Sequence, residues 1–147
     1  MPDATIQNVV FQVGAAETDT LRASWQKAKA RYAPELAAKQ IDFANGLGPA
    51  MDKWAVTYTA FNNLVRQISN QKALWTTIAP LARAKIKSEA RTLQTDAAEV
   101  AKDSAQYLTA IHALGNPAEK DLTAILLAIA RRATDHQLRA AVTSRAR

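Results

Sequence analysis

His112 and His136 are the two imidazoles of the chain, and it has no cysteine. That inventory bounds the metal chemistry, because transition-metal sites are built from imidazole, thiolate and carboxylate at fixed spacing. The Glu-x-x-His pairs that di-iron helical bundles require do not occur: three residues after Glu99 stands Lys102, and three after Glu119 stands Leu122. Neither histidine falls where a proximal haem ligand would be expected. Ser24, Ser69, Ser88, Ser104 and Ser144 lack a neighbouring base with an orienting partner. Asn45-Gly46-Leu47-Gly48 is too short for a phosphate loop and precedes no Lys-Ser or Lys-Thr pair. His136 continues the apolar line through Leu122, Leu126, Ile129 and Ala133, and so reads as a bundle-end ring bonded to a backbone carbonyl or to Asp135, with a pH-responsive or catalytic role second to that. His112 adjoins Ile111 and reads as solvated. The sequence therefore predicts a non-catalytic protein with no metal and no cofactor. A pocket assembled from scattered Arg, Lys and Glu, as in helical mutases, would leave no mark at this level.

The elements that must position these residues are easier to read. Ile86, Leu93, Val100, Tyr107 and Leu114 recur every seven positions, with Ala90, Ala97, Ser104 and Ile111 between them. This is the period of a helix that buries one narrow stripe against another helix. The helix is read from about Gln71 to Leu114, with Pro80 as a kink or as the first residue of a fresh turn, and Gly115 stops it. Met51, Trp54, Tyr58, Phe61, Val65 and Ile68 form a bulkier seam upstream. A first helix opens near Thr18–Thr20, buries Leu21, Trp25, Ala28 and Tyr32, and is kinked or restarted at Pro34. It resumes through Leu36 and Ile41 to a break at Asn45–Pro49. Asn116 and Pro117 read as the N-cap and first residue of a last helix that buries Leu122, Ile125, Leu126 and Ile129 and frays past Ser144. Short connections make neighbours antiparallel. The expectation is an all-α, up-down-up-down bundle of four main helices spanning residues 17–147. Residues 1–16 read as an arm or short helix: Thr5–Val13 is rich in strand formers, and Ile6, Val9, Val10 and Val13 also fit a helical stripe. Around Asn45-Gly46-Leu47-Gly48 the chain resembles the Asn-Gly-Leu segment of small all-helical subunits of RNA-guided defence complexes, a likeness too short to assign a family.

With 147 residues, 32 of them Ala, one domain with thin, tight helix packing is expected. The longest apolar run, Leu122–Ala130 with Thr123 inside it, falls short of the ~20 residues that cross a bilayer. Met1–Val13 has neither the basic nor the apolar region of a secretory signal. The reading is a soluble cytoplasmic protein, with signal-less export left open. The net charge of +6 is uneven: residues 1–80 carry +2 and residues 81–147 carry +4. Arg83, Lys85, Lys87 and Arg91 form one cluster, and Arg131, Arg132 and Arg139, with Arg145 and Arg147, form another.

Two functions follow. The first is an interaction protein, a homo-oligomer or a small subunit of a larger assembly, contacting its partner through Trp75, Ile86, Leu93, Val100 and Tyr107. The second is a basic subunit of a nucleoprotein complex, holding phosphates with Arg83, Lys85, Lys87, Arg91, Arg131, Arg132 and Arg139. A membrane-active helical protein is a lesser alternative.

Overall fold

The computed structural model describes residues 6, 10, 17–41, 46–68 and 74–147. Five α-helices account for most of them: α1 (Glu17–Arg31), α2 (Ala33–Ala38), α3 (Leu47–Ile68), α4 (Pro80–Ala110) and α5 (Ala118–Ser144). Single 3₁₀ turns at Trp75–Thr77 and Ile111–Ala113 lead into and out of α4. There is no strand among the described residues. The chain is an all-α bundle in which α1, α3, α4 and α5 run alternately up and down. Most of the arm expected over residues 1–16 lies outside the described residues. Ile6 and Val10 are both buried, and the Val10 N–H bonds the Ile6 carbonyl at 2.8 Å, one helical turn back.

Pro34 restarts the helix. It occupies the first turn of α2, where a missing N–H costs nothing. α2 ends in a left-handed residue, Gln40 at φ 56°. The Ile41 N–H reaches back to the Leu36 carbonyl and the Gln40 N–H to the Ala37 carbonyl, both at 3.0 Å. This satisfies carbonyls that the last turn would otherwise leave bare. Pro80 likewise begins α4, which is therefore shorter than the segment from Gln71 that the sequence suggests.

The last helix begins differently from expectation. Pro117 takes the cap position, α5 starts at Ala118, and no side-chain cap is made. The Asn116 cap is thus corrected: the turn closes through the backbone, Glu119 N–H to the Gly115 carbonyl and Asp121 N–H to the Pro117 carbonyl. Glu119 and Asp121 in the first turn complement the positive end of the helix dipole.

The core follows the predicted stripes. On α3, Leu47, Met51, Trp54, Tyr58, Phe61 and Val65 are buried. On α4, Ile86, Ala90, Leu93, Ala97 and Val100 are completely enclosed, as are Leu122, Leu126, Ile129, Ala133 and Ala140 on α5. α4 and α5 share the most extensive interface, followed by α3 with α4. Alanines at 90, 97, 133 and 140 keep side-chain bulk out of the α4–α5 interface, while the aromatic face of α3 fills the interior. No described helix is long and apolar enough to cross a membrane.

Candidate interaction surface

The residues nominated as an interface are placed inside the chain's own fold. Ile86, Leu93 and Val100 have 0% exposure, because α3 and α5 already cover the narrow stripe of α4. Tyr107 is half-buried and its ring lies against Gly46, where an added Cβ would collide with the phenolic oxygen. Trp75 is 3% exposed and donates its indole N–H to the Arg147 carbonyl at 2.8 Å. It closes one end of the bundle and pins the segment after α5, where the sequence predicts fraying. A seam closed by its own helices offers no face to a partner, so this set is corrected from docking surface to core.

The structure sorts the basic clusters into different jobs. Arg83 serves the architecture: its Nη1 donates to the carbonyls of Trp75, Thr76 and Ile78 at 3.2, 3.1 and 2.8 Å, clamping the turn before α4. Arg139 pairs with Asp135 at 3.0 Å one turn earlier. Arg132 borders a surface hollow of about 630 Å³ between α1 and α5, together with Thr20, Leu21, Ala128 and Arg131. Lys85 shares a side of α4 with Glu89. Lys87 and Arg91 remain on a line that continues through Thr95 and Ala98 to Lys102, at helical intervals of three and four. Arg91 and Lys102 are exposed and Lys87 is half-buried.

The α4 carboxylates follow another line, Glu89, Asp96, Glu99 and Asp103, displaced toward α3. Asp96 marks that side by accepting a hydrogen bond from the Thr57 hydroxyl of α3. Burial first, and then the negative charge of Glu99, raise the Asp103 carboxyl above its ordinary range, with Lys102 opposing them. The opposite flank of α5 is marked in the same way. Asp121 accepts from the Tyr32 hydroxyl at the end of α1, and Arg31 stands 4.0 Å from the same carboxylate. That hydrogen bond to Asp121, with burial, raises the Tyr32 phenol above its usual value, and Arg31 opposes the shift. This contact spans 89 residues of sequence, and no local pattern announces it.

What remains is the side of the α4–α5 pair that neither α3 nor α1 covers. Along it α5 presents Leu127, Arg131, Thr134, Leu138 and Val142, again at helical spacing. Leu127 is 37% exposed, Leu138 63% and Val142 67%. The three large apolar side chains thus stand in one line on the outer face of α5. Lys87, Arg91 and Lys102 of α4 border the line, and Arg131 and exposed Thr134 interrupt it. Of the α5 carboxylates, Asp121 faces α1, Asp135 is bonded to Arg139, and Glu119 at the turn meets His112 at 3.1 Å.

His136 is buried far more deeply than the sequence suggests, at 1% exposure. It lies across the diagonal of the bundle from α3, where its Nδ1 accepts the Trp54 indole N–H at 3.1 Å. Its ring stacks on Tyr58 at 5.0 Å with an interplanar angle of 19°. A nitrogen that accepts a hydrogen bond carries no proton, so the geometry assigns the neutral ring with its proton on Nε2. On Nδ1 the partner is thus the Trp54 indole, which the sequence does not announce. Trp54, read simply as core, is core with its polar edge satisfied.

Among the described residues no three His, Asp or Glu side chains gather as a cation site. No family model, curated protein or solved structure matches the chain.

Proposed function

We propose that this protein works by association, as a non-catalytic helical subunit whose contact surface is the outer face of α4 and α5. One observation carries the reading: Leu127, Leu138 and Val142 stand exposed in a single helical line of α5, and the register of α4 puts Lys87, Arg91 and Lys102 on the side of that helix away from its buried stripe. Isolated apolar side chains on a surface are ordinary, whereas an aligned set rimmed by charge is the composition of interaction sites. Partner contact here leaves the α4 seam intact, since that seam already holds the bundle together.

Photo-crosslinking in the native context tests it. A photoreactive residue at position 138 or 142 is expected to give polypeptide adducts, and the same residue at exposed Val56 on α3 is not. No adducts at 138 and 142, or equal yields at all three sites, refute the reading. Light scattering on the purified chain then distinguishes a homo-oligomer from a subunit that needs a different partner.

A second reading, a nucleic-acid-associated subunit, is favoured by the alignment of Lys87, Arg91 and Lys102 with Arg131 near the same face. It requires oligonucleotide binding that falls steeply as salt rises. Binding that is absent at low salt, or insensitive to salt, removes it.

A further inference from the structure

The composition of the outer face also selects the chemistry of what covers it, and this inference rests on the association reading above. We infer that the occupant is an acidic amphipathic helix of a partner protein, packed lengthwise along the α5 ridge with carboxylates facing the α4 cations.

Shape comes first. Leu127, Leu138 and Val142 form a ridge along one helix, with Thr134 one turn before Leu138. Arg131 stands between Leu127 and Thr134, and Thr134 is shorter than the Leu138 that follows it, so the ridge is uneven there and suits an apolar side chain from another helix lying nearly parallel to it. A partner helix meets this ridge with residues at intervals of three and four, the helix-in-groove mode of recognition.

Charge decides the rest. Lys87, Arg91 and Lys102 border the ridge on the α4 side and Arg131 interrupts it, while the α4 carboxylates follow the line displaced toward α3. The α5 carboxylates are occupied by Tyr32, Arg139 and His112. A second copy docked symmetrically through the same face would bring a second positively charged patch against this one, because a two-fold contact pairs each patch with itself. Like charges facing each other across an interface oppose association. The covering helix must therefore bring carboxylates, which a copy of this face does not offer. Three exposed large apolar residues also distinguish this face from a strip that contacts phosphates alone, where backbone oxygens supply the contacts.

The test uses the full chain and defined probes. One is a synthetic helical peptide with leucine at heptad positions a and d and glutamate at e and g; another is the same peptide with lysine at e and g. Vesicles rich in anionic lipid and a single-stranded oligonucleotide complete the set. The expected result is saturable binding of the glutamate peptide and none of the lysine peptide. Amide shifts should concentrate on residues 127–142 and 87–102. Affinity should weaken by about ten-fold or more in Lys87→Glu/Arg91→Glu and in Leu138→Glu, with helical content unchanged. Arg139→Glu, on the other flank, should bind as the parent does.

If the lysine peptide binds equally, or the glutamate peptide does not bind, the partner assignment fails. It also fails if the vesicles or the oligonucleotide bind the face and the glutamate peptide does not. Crosslinks from position 138 to a second copy would overturn the acidic helix while leaving association standing, whereas crosslinks to a lipid or a nucleic acid alone overturn both. Absence of crosslinks removes both.

Discussion

Ser104 is the position at which the packing logic of α4 gives its sharpest forecast. It occupies the seam between Val100 and Tyr107, has 0% exposure, and its hydroxyl has no hydrogen-bond partner among the described residues. A buried hydroxyl without a partner has lost its water and gained nothing in return, a cost of about 1–3 kcal/mol. Ser104→Ala removes that oxygen, and alanine is the better helix former by about 0.5 kcal/mol. Against these gains stands the small void left by one oxygen. The net expectation is a stabilisation of about 1 kcal/mol, or a rise in Tm of roughly 3 °C for a domain of this size. Leu93→Ala, eleven positions earlier on the same stripe, should instead destabilise by about 3–5 kcal/mol, because it opens a cavity where contacts are dense. Lys102→Ala, on the outer line, should stay within about 0.5 kcal/mol. Urea unfolding followed by circular dichroism measures all three, and an unchanged slope keeps the comparison valid. Should Ser104→Ala lose stability, the hydroxyl is satisfied and the reasoning fails. Equal losses at 93 and 102 would mean that the phase of the helix is wrong.

Other outcomes are expected on the same footing. Gly46→Ala should destabilise the fold by about 1–3 kcal/mol by driving a methyl group into the Tyr107 hydroxyl; in Tyr107→Phe the same substitution should cost less, and additivity in the double-mutant cycle would refute the contact. Gln40→Gly should stabilise by about 1 kcal/mol in a thermal melt, since glycine takes the left-handed conformation at φ 56° without a Cβ penalty. Asp103 has a folded-state carboxyl pKa raised by burial and by Glu99, so it favours the fold when protonated, below its unfolded value, and loses that contribution as pH rises through the folded value. Asp103→Asn should accordingly gain more stability at pH 7 than at pH 3, and carboxyl NMR should show Asp103 titrating above the ordinary aspartate range; titration below it would sink the assignment.

The stripes on α3, α4 and α5 are legible in the sequence because helix packing depends on periodicity, which the residue order displays directly. Pro34 and Pro80 are legible as interruptions, a kink or a restart, for the same local reason, since proline lacks an N–H wherever it stands. The surface is not, because the heptad spacing that marks a coiled-coil contact also marks the inner edge of a monomeric bundle. Only tertiary structure reveals that α3 and α5 fill the seam of Ile86, Leu93 and Val100. The basic cluster reads as a unit because its members are near in sequence, yet a rotation of about 100° of helix turn per residue separates Arg83, Lys85 and Lys87. Lys102 escapes notice for the converse reason: it joins Arg91 through the helix, eleven residues away. The Trp54–His136 and Tyr32–Asp121 bonds depend on which helices become neighbours, and no short-range pattern carries that information.

The α4–α5 hairpin combines the largest shared interface with a connection of only seven residues. Closing so short a loop costs little chain entropy, and the contacts that reward it are close in sequence. Arg83 holds the carbonyls just upstream of α4 by contacts of equally short range. This half of the molecule therefore has the means to organise before the rest. α1 has no such local route, since its neighbour Tyr32 must find an aspartate 89 residues further on.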